Sequence, residues 1–412
     1  MQLIHERCCG IDVHSKTVVA CLRTPDDEGG RRGEVRTFGT TTAELLKLLD
    51  WLVEAGCTHV AMESTGVYWK PVFNLLEGSV EVILVNAQHV KALPGRKTDV
   101  KDCEWLAQLL EFGLLRASFI PPLPIRELRE LTRYRKTLIQ ERAREANRLQ
   151  KFLESANIKL GNVASDVLGV SGRAMLKRLI AGERDPGALA NLARGRLREK
   201  RDDLREALTG RFTEHHGFLI QRILDHVEFL DKSIEECNRR LEERTRPFAD
   251  NIDRLCSIPG VAQHGAECIL AEIGADMSQF PSDLHLASWA SICPGNKQSA
   301  GKRISGKIRQ GNRWLRQILV ECAWAATRTR GTYLSAQYAR LVRRRGKKRA
   351  LIAVGHSILV SAYHMLRDSK LYSDLGAAYF DRREKSRLTR YHLHRLEELG
   401  HKVTIEPLRE VA

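Results

Sequence analysis

Cys8-Cys9-Gly10-Ile11-Asp12-Val13 is a run of apolar and small residues interrupted by one acid. A polar turn, His14-Ser15-Lys16, separates it from a second apolar run, Val18 to Leu22, so residues 8–22 read as two strands. Outward from there the pattern alternates. Residues 26–33 have turn composition. From Thr42 to Ala55, Leu45, Leu48, Leu49 and Leu52 recur at helical spacing. His59-Val60-Ala61-Met62-Glu63 is a short apolar strand closed by an acid and by the turn Ser64-Thr65-Gly66. Residues 67–76 predict a helix, and Glu81 to Val85 a further buried strand. Strands interleaved with helices predict an α/β domain over residues 1–120, ended by Pro121, Pro122 and Pro124.

The acids of this domain stand out against its apolar pattern. Asp12 lies inside an apolar strand, where a carboxylate is costly unless it is paired or bound to a cation. Glu63 ends another strand. In Lys97-Thr98-Asp99-Val100-Lys101-Asp102-Cys103-Glu104-Trp105-Leu106, the residues Val100, Cys103, Leu106, Leu109 and Leu110 keep helical spacing as far as Gly113. Asp99 and Asp102 therefore sit only about 60° apart near the start of a helix. At a separation of about 4 Å and an effective dielectric of about 20, two carboxylates repel by about 4 kcal/mol. The plain explanation is a solvated helix N-terminus, where the dipole favours acids. Each acid alone also reads as a satisfied structural carboxylate. Four of them at element ends of one domain instead suit a hard divalent cation with oxygen ligands, such as Mg²⁺.

Charge narrows the partner. The 412 residues carry 67 Lys and Arg against 51 Asp and Glu, a net charge of +16, which points to a polyanion, most simply nucleic acid. From Lys302 to Arg349 there are 15 basic residues and one acid, Glu321. Lys302, Arg303, Arg313, Arg316, Arg343, Arg344, Arg345, Lys347, Lys348 and Arg349 are the candidate phosphate contacts of this stretch. The 10 cysteines form no CxxC pair and read as reduced, mostly buried thiols of a cytosolic protein. Neither a signal peptide nor an uninterrupted apolar run of membrane-spanning length is present, so no membrane is expected as a partner.

Residues 121–250 read as a helical region. A long helix carries the seam Leu128, Leu131, Leu138, Leu149 and Phe152 with many arginines, and residues 161–212 read as short helices. Ile220, Ile223, Val227, Leu230, Ile234, Cys237 and Leu241 then step by 3 and 4, the seam of a coiled coil or of one bundle helix. Residues 251–412 form the third region. It opens on Leu255-Cys256-Ser257-Ile258-Pro259-Gly260-Val261, similar to a helix-hairpin-helix, with Ala262 in place of the usual second glycine; a phosphate contact and a packing role both fit. Residues 293–303 read as a polar, flexible loop containing Ser299, Gly311-Asn312 as a helix start, and the tail as an amphipathic helix (Leu388, Tyr391, Leu396, Leu399) followed by a strand, Lys402 to Ile405.

Gly10-Ile11-Asp12-Val13-His14-Ser15-Lys16, Met62-Glu63-Ser64-Thr65-Gly66, Lys97 to Asp102, Ile258-Pro259-Gly260-Val261, Gln298-Ser299-Ala300-Gly301-Lys302 and Gly311-Asn312 with Leu315-Arg316 together resemble the DEDD insertion-sequence transposases. This is the IS one-ten family, described as bridge-RNA-guided recombinases. The motifs span almost the whole chain, and the segment between Lys159 and Phe218 is more similar to the IS eleven-eleven subgroup. Ala300 beside the serine is a small departure. The resemblance implies an RNase H/RuvC-like α/β first domain, with Asp12, Glu63, Asp99 and Asp102 holding Mg²⁺. It implies a mostly α C-terminal transposase domain, whose Ser299 is the nucleophile that becomes linked to a DNA phosphate. It further implies homodimers that assemble into homotetramers, with acids and serine contributed by different subunits. A structured guide (bridge) RNA would pair with target and donor DNA, in the bacterial cytoplasm at the nucleoid. Two rival classes use the same residues differently: a RuvC-like two-metal nuclease without a covalent step, and a non-catalytic RNA-binding scaffold.

Overall fold

The strand that carries Asp12 lies at the centre of a sheet. In this computed structural model, β1 (Cys8–Val13), β2 (Thr17–Pro25), β3 (Arg31–Gly39), β4 (His59–Glu63) and β5 (Glu81–Val85) are ordered β3-β2-β1-β4-β5. β2 is antiparallel to both β1 and β3, whereas β4 is parallel to both β1 and β5. The structure describes residues 2–26, 30–64, 66–86, 99–293, 297–299, 302–305, 308, 311–383 and 385–404, with the backbone alone at 99–101, 297–299, 302–305 and 388. The chain divides into two compact units, Met1–Ile120 and Pro121–Ala412.

In the first unit, alternation along the strands sends side chains to two different layers. Ile11, Val13, Val18, Ala20, Leu22, Val60 and Met62 pack against α1 (Thr42–Glu54) and α2 (Trp69–Leu76) through Leu45, Leu48, Leu52, Val72, Phe73 and Leu76. The opposite face meets α3 (Asp99–Glu111), where Cys8 and Ala61 pack with Leu110, and Cys21 packs with Cys103 and Ala107. Sequence reading missed β3, since residues 26–33 were expected to be a loop and nothing was expected at 34–39. The strand is held by backbone pairing to β2, and only Phe38 is buried, so no apolar alternation marks it. Its exposed charged side chains are those of a protected sheet edge.

Among the described residues, the regular structure of the second unit is helical apart from one strand pair. Its long helices α4 (Leu123–Ser155) and α5 (Glu214–Thr245) run antiparallel: Glu127 meets Arg244, Arg135 meets Asn238, Arg142 meets Asp231 and Glu145 meets His226. Of the α5 seam, Ile220, Ile223, Val227, Leu230 and Leu241 are buried, while Ile234 and Cys237 are half-buried. Leu128 and Leu241 share one apolar cluster, so the seam is used within the chain. Short helices between Leu160 and Ala207 pack around the far end of the pair, through Leu149, Leu153, Met175, Leu176, Leu204 and Ile220.

Beyond Pro247 come α6 (Ala249–Cys256), α7 (Gln263–Ile273) and α8 (Asp283–Trp289), a strand pair β6 (Lys297–Ser299) and β7 (Lys302–Ser305), then α9 (Arg313–Ala326), α10 (Tyr333–Arg345) and α11 (Lys347–Asp368). The expected loop at 293–303 thus contains strands in antiparallel pairing, decided by backbone hydrogen bonds that side-chain pattern does not encode. At the α6–α7 turn, Gly260 has φ +87°, and a Cβ there would lie 2.3 Å from Ala326 N and 2.6 Å from Cys322 O. The glycine lets this turn rest on the end of α9, which is the packing role. Helix α11 is long and apolar enough to cross a membrane by length and composition, but Ala350, Val354, Ile358, Leu359 and Ala362 are buried within the unit. The tail forms α12 (Lys385–Glu398) with Tyr391 and Leu399 exposed. The expected strand from Lys402 is not formed: residues 402–404 have no regular structure, and Ile405 lies outside the described residues. Among the described residues all cysteines are free, and Cys8, Cys9, Cys21, Cys57, Cys103 and Cys322 are buried, as expected.

Candidate active site

Asp12 and Glu63 each follow the last matched pair of the parallel β1–β4 ladder, Ile11 and Met62. They therefore occupy neighbouring positions at one end of the sheet, on the same face, with strands about 4.8 Å apart. That face is the one covered by α3. A Cβ on Gly10 would lie 2.2 Å from Cys103 O and 2.4 Å from Ala107 N, so only glycine lets the helix backbone come down onto β1. Cys8 Sγ donates to Ala107 O at 3.7 Å, and the backbone N–H groups of Ile4 and His5 donate to Glu111 O. Helix α3 thus runs antiparallel to β1, and its first turn, with Asp99 and Asp102, lies toward the Asp12 end.

The far end of α3 is anchored electrostatically. Glu111 is 1% exposed and its carboxylate accepts from Arg23 Nε at 2.5 Å and from Arg31 Nε. These arginines come from β2 and β3, so the missed strand helps fix the acidic helix. Around Asp12 the side chains are part-buried: Asp12 is 15% exposed, with His14 Nε2 3.1 Å from its Oδ2. Glu63 and Asp102 are half-buried. Cys103 beneath them is pushed up to about 12, first by burial and then by the neighbouring charges, Asp12 among them. The side chain of Asp99 is outside the described atoms. Among the described residues no three His, Cys, Asp or Glu side chains converge as a metal cluster.

Ser299 belongs to the second unit, where it ends β6 opposite Lys302 of β7. The side chains of Ser299, Lys302 and Arg303 are likewise outside the described atoms. The segment beyond them ends in a network that the residue pattern alone did not reveal. Asn312 caps α9, accepting at Oδ1 from Trp314 N at 3.0 Å and Leu315 N at 3.1 Å, and its Nδ2 donates to Glu272. Glu272 is 2% exposed and takes a two-pronged contact from Arg133 at 2.7 and 2.8 Å, with Arg129 alongside. Burial lowers Arg129 to about 10. Arg133 and Arg313 both stand over the Trp314 ring. The helix-start asparagine was legible in sequence; its buried partners, 40 or more residues away, were not. Of the other basic candidates, Arg316 is half-buried, while Arg343, Arg344 and Arg345 on the last turn of α10 and Lys347, Lys348 and Arg349 on the first turn of α11 are all exposed.

Two family models match the chain. The transposase model DEDD_Tnp_IS110 covers residues 9–158, and the model described as "Transposase IS116/IS110/IS902 family" covers residues 252–339. Together they take in more than half of the sequence, one on the acidic unit and one on the segment around Ser299. The chain is a transposase of the IS110 family. Relatives of this IS110-family transposase include the "Insertion element IS110 uncharacterized 43.6 kDa protein" of Streptomyces coelicolor, 28% identical over 68% of this chain and 73% of its own length. Another is the "Transposase for insertion sequence element IS1328" of Yersinia enterocolitica, 23% identical over the same shares. Among solved structures, Thermus thermophilus RuvC aligns with 27% of this chain and 99% of its own at 13% identity and a TM-score of 0.21. As a transposase the protein cleaves and rejoins DNA strands, and DNA is its partner.

Proposed function

We propose that this transposase is an RNA-guided recombinase that cuts and rejoins target and donor DNA through a phosphoserine at Ser299, with Mg²⁺ held by Asp12, Glu63, Asp99 and Asp102. What supports the proposal is that Asp12 and Glu63 sit at neighbouring strand ends on the sheet face covered by α3, whose first turn lies toward the same end of the sheet, a packing that depends on Gly10. The donor set fits the ion: it consists of hard carboxylate oxygens, at a face where Asp12 is largely enclosed. The strand order β3-β2-β1-β4-β5, with β2 antiparallel to β1 and β3 and with β4 parallel to β1 and β5, supports an RNase H/RuvC-like reading of the first unit.

When bound, the ion would offset negative charge on the phosphate oxygens. The protein's own steps are the following. Ser299 Oγ attacks the phosphorus, the Oγ–P bond forms, and the P–O bond to the departing strand breaks. The hydroxyl proton passes to solvent water and the departing oxygen takes one proton from solvent, so the exchange is proton-neutral. Because the phosphoserine retains the ester, rejoining needs no nucleotide cofactor. The exposed cations Arg343, Arg344, Arg345, Lys347, Lys348 and Arg349, with Lys302, Arg303, Arg313 and Arg316, hold backbone phosphates, and pairing with a bridge RNA chooses the site. The antiparallel α4–α5 pair would serve as a coiled-coil arm in a homotetramer built from dimers, acting at the nucleoid in the cytoplasm.

The test is a suicide DNA substrate that traps the protein after cleavage. A protein–DNA adduct that disappears in Ser299→Ala, together with loss of cleavage in Asp12→Asn, is the expected result. Normal cutting by Ser299→Ala without any adduct would establish the hydrolytic nuclease reading instead. Activity indifferent to Asp12→Asn would mean that the acids take no part.

A further inference from the structure

The segment that carries Ser299 departs after α8 and returns at α9, and its two feet touch. A Cβ on Gly311 would lie 2.3 Å from Ser291 Oγ, 2.4 Å from Ser291 Cβ and 3.0 Å from Ala290 O. Ser291 is 7% exposed and has φ +53°, a left-handed conformation that residues other than glycine rarely adopt. Its N–H and its Oγ both donate to Ser288 O, at 3.1 and 3.4 Å. Residues 292–310 therefore leave from and return to one point, and β6 with Ser299 lies between.

Asn312 ties that point to the helices. Its Oδ1 accepts from Trp314 N and Leu315 N, which caps α9, while its Nδ2 donates to Glu272. Glu272 stands where a carboxylate is doubly disfavoured: it is 2% exposed, and it lies in the last turn of α7, at the negative end of the helix dipole. Arg133 and Arg129 of α4 offset its charge. One account is a buried ion pair that fastens α4 to α7 and does nothing more. Asn312 argues for another role. A cap needs one acceptor oxygen, which Ser, Thr or Asp supplies as well. Asparagine adds an amide donor beside that oxygen, and here the donor reaches Glu272.

We propose that Asn312, held by Glu272, is a positioning residue for the Ser299 hairpin: the link fixes the foot of the segment that presents the serine to DNA. This rests on the reading of Ser299 as the nucleophile. The carboxylate is already immobilised by α4 and α7, so the amide needs to add a single hydrogen bond to register the hairpin against both helices.

The experiment compares the full-length protein with Asn312→Ser, which keeps a cap oxygen and removes the amide. Hydrogen exchange read by mass spectrometry is expected to quicken at least about tenfold at the β6–β7 amides and to stay unchanged along α9. On the suicide DNA substrate, adduct formation at saturating DNA is expected to slow at least about tenfold, with the half-saturating DNA concentration unchanged. Glu272→Gln, which leaves the cap of α9 in place, should give the same pattern. Adduct formation at the unaltered rate in both variants would overturn the assignment and leave Asn312 a helix cap. A change confined to the half-saturating concentration would overturn it too, because that quantity reads DNA binding. An adduct that survives Ser299→Ala would overturn both readings, whereas a Ser299-dependent adduct indifferent to the two variants overturns this one alone.

Discussion

Gly10 shows how much rests on one missing methyl group. Both atoms that its Cβ would strike, Cys103 O and Ala107 N, are backbone, so α3 must lift off the sheet to accept any side chain. Overpacking of this kind costs about 1–3 kcal/mol. Gly10→Ala is therefore expected to lower the melting temperature measured by circular dichroism and to weaken divalent-ion binding, since the turn bearing Asp99 and Asp102 moves with the helix. Buried charge sets a second residue-scale expectation. Burial first, then Arg135 and Lys136, lowers His264 from the usual 6.5 to about 4. Below 6.5 an unfolded imidazole takes up a proton that the folded one refuses until about 4, so stability falls as pH drops through that window and is unaffected above it. Urea midpoints measured between about pH 7 and about pH 4.5 should decline, and His264→Gln should flatten the decline. An equal decline in that variant would place the acid sensitivity elsewhere.

At the scale of elements, the helices with strong apolar periodicity were legible, and so were β1, β2, β4 and β5, each of which carries an apolar run in the sequence. Strand β3 was not, because an exposed edge strand is specified by its neighbour's backbone and not by its own side chains. Elements also explain the basic run. Arg343 to Arg345 end one helix and Lys347 to Arg349 begin the next, across Gly346 at φ +76°, which puts six exposed cations at one corner. The arginines complement the C-terminal dipole of α10, whereas the cations of α11 add to the positive end of its dipole, so the corner favours an anion. Replacing Arg343, Arg344 and Arg345 with Gln should reduce the slope of log affinity against log salt by up to about 2.7, measured by fluorescence anisotropy on duplex DNA. An unchanged slope would remove these residues from the phosphate contacts.

For the whole molecule, a net charge of +16 on 412 residues disfavours self-association until a polyanion offsets it. Native mass spectrometry is therefore expected to show tetramers when guide RNA and DNA are present; a monomer under those conditions would rule out a site shared between subunits. By itself, the sequence marked the acids and cations proposed to carry the chemistry and how most elements alternate, because charge and period are written residue by residue. It located Asp12, Glu63, Asp99, Asp102 and the basic stretch. Tertiary structure alone decided that Gly10 admits α3 to the sheet, that Glu111 clamps that helix to β2 and β3, and that His14 lies against Asp12. It likewise decided that Arg133, Glu272 and Asn312 meet beneath α9. Each is a contact between segments distant in the chain or a matter of how closely two backbones approach, and neither property has a period to read.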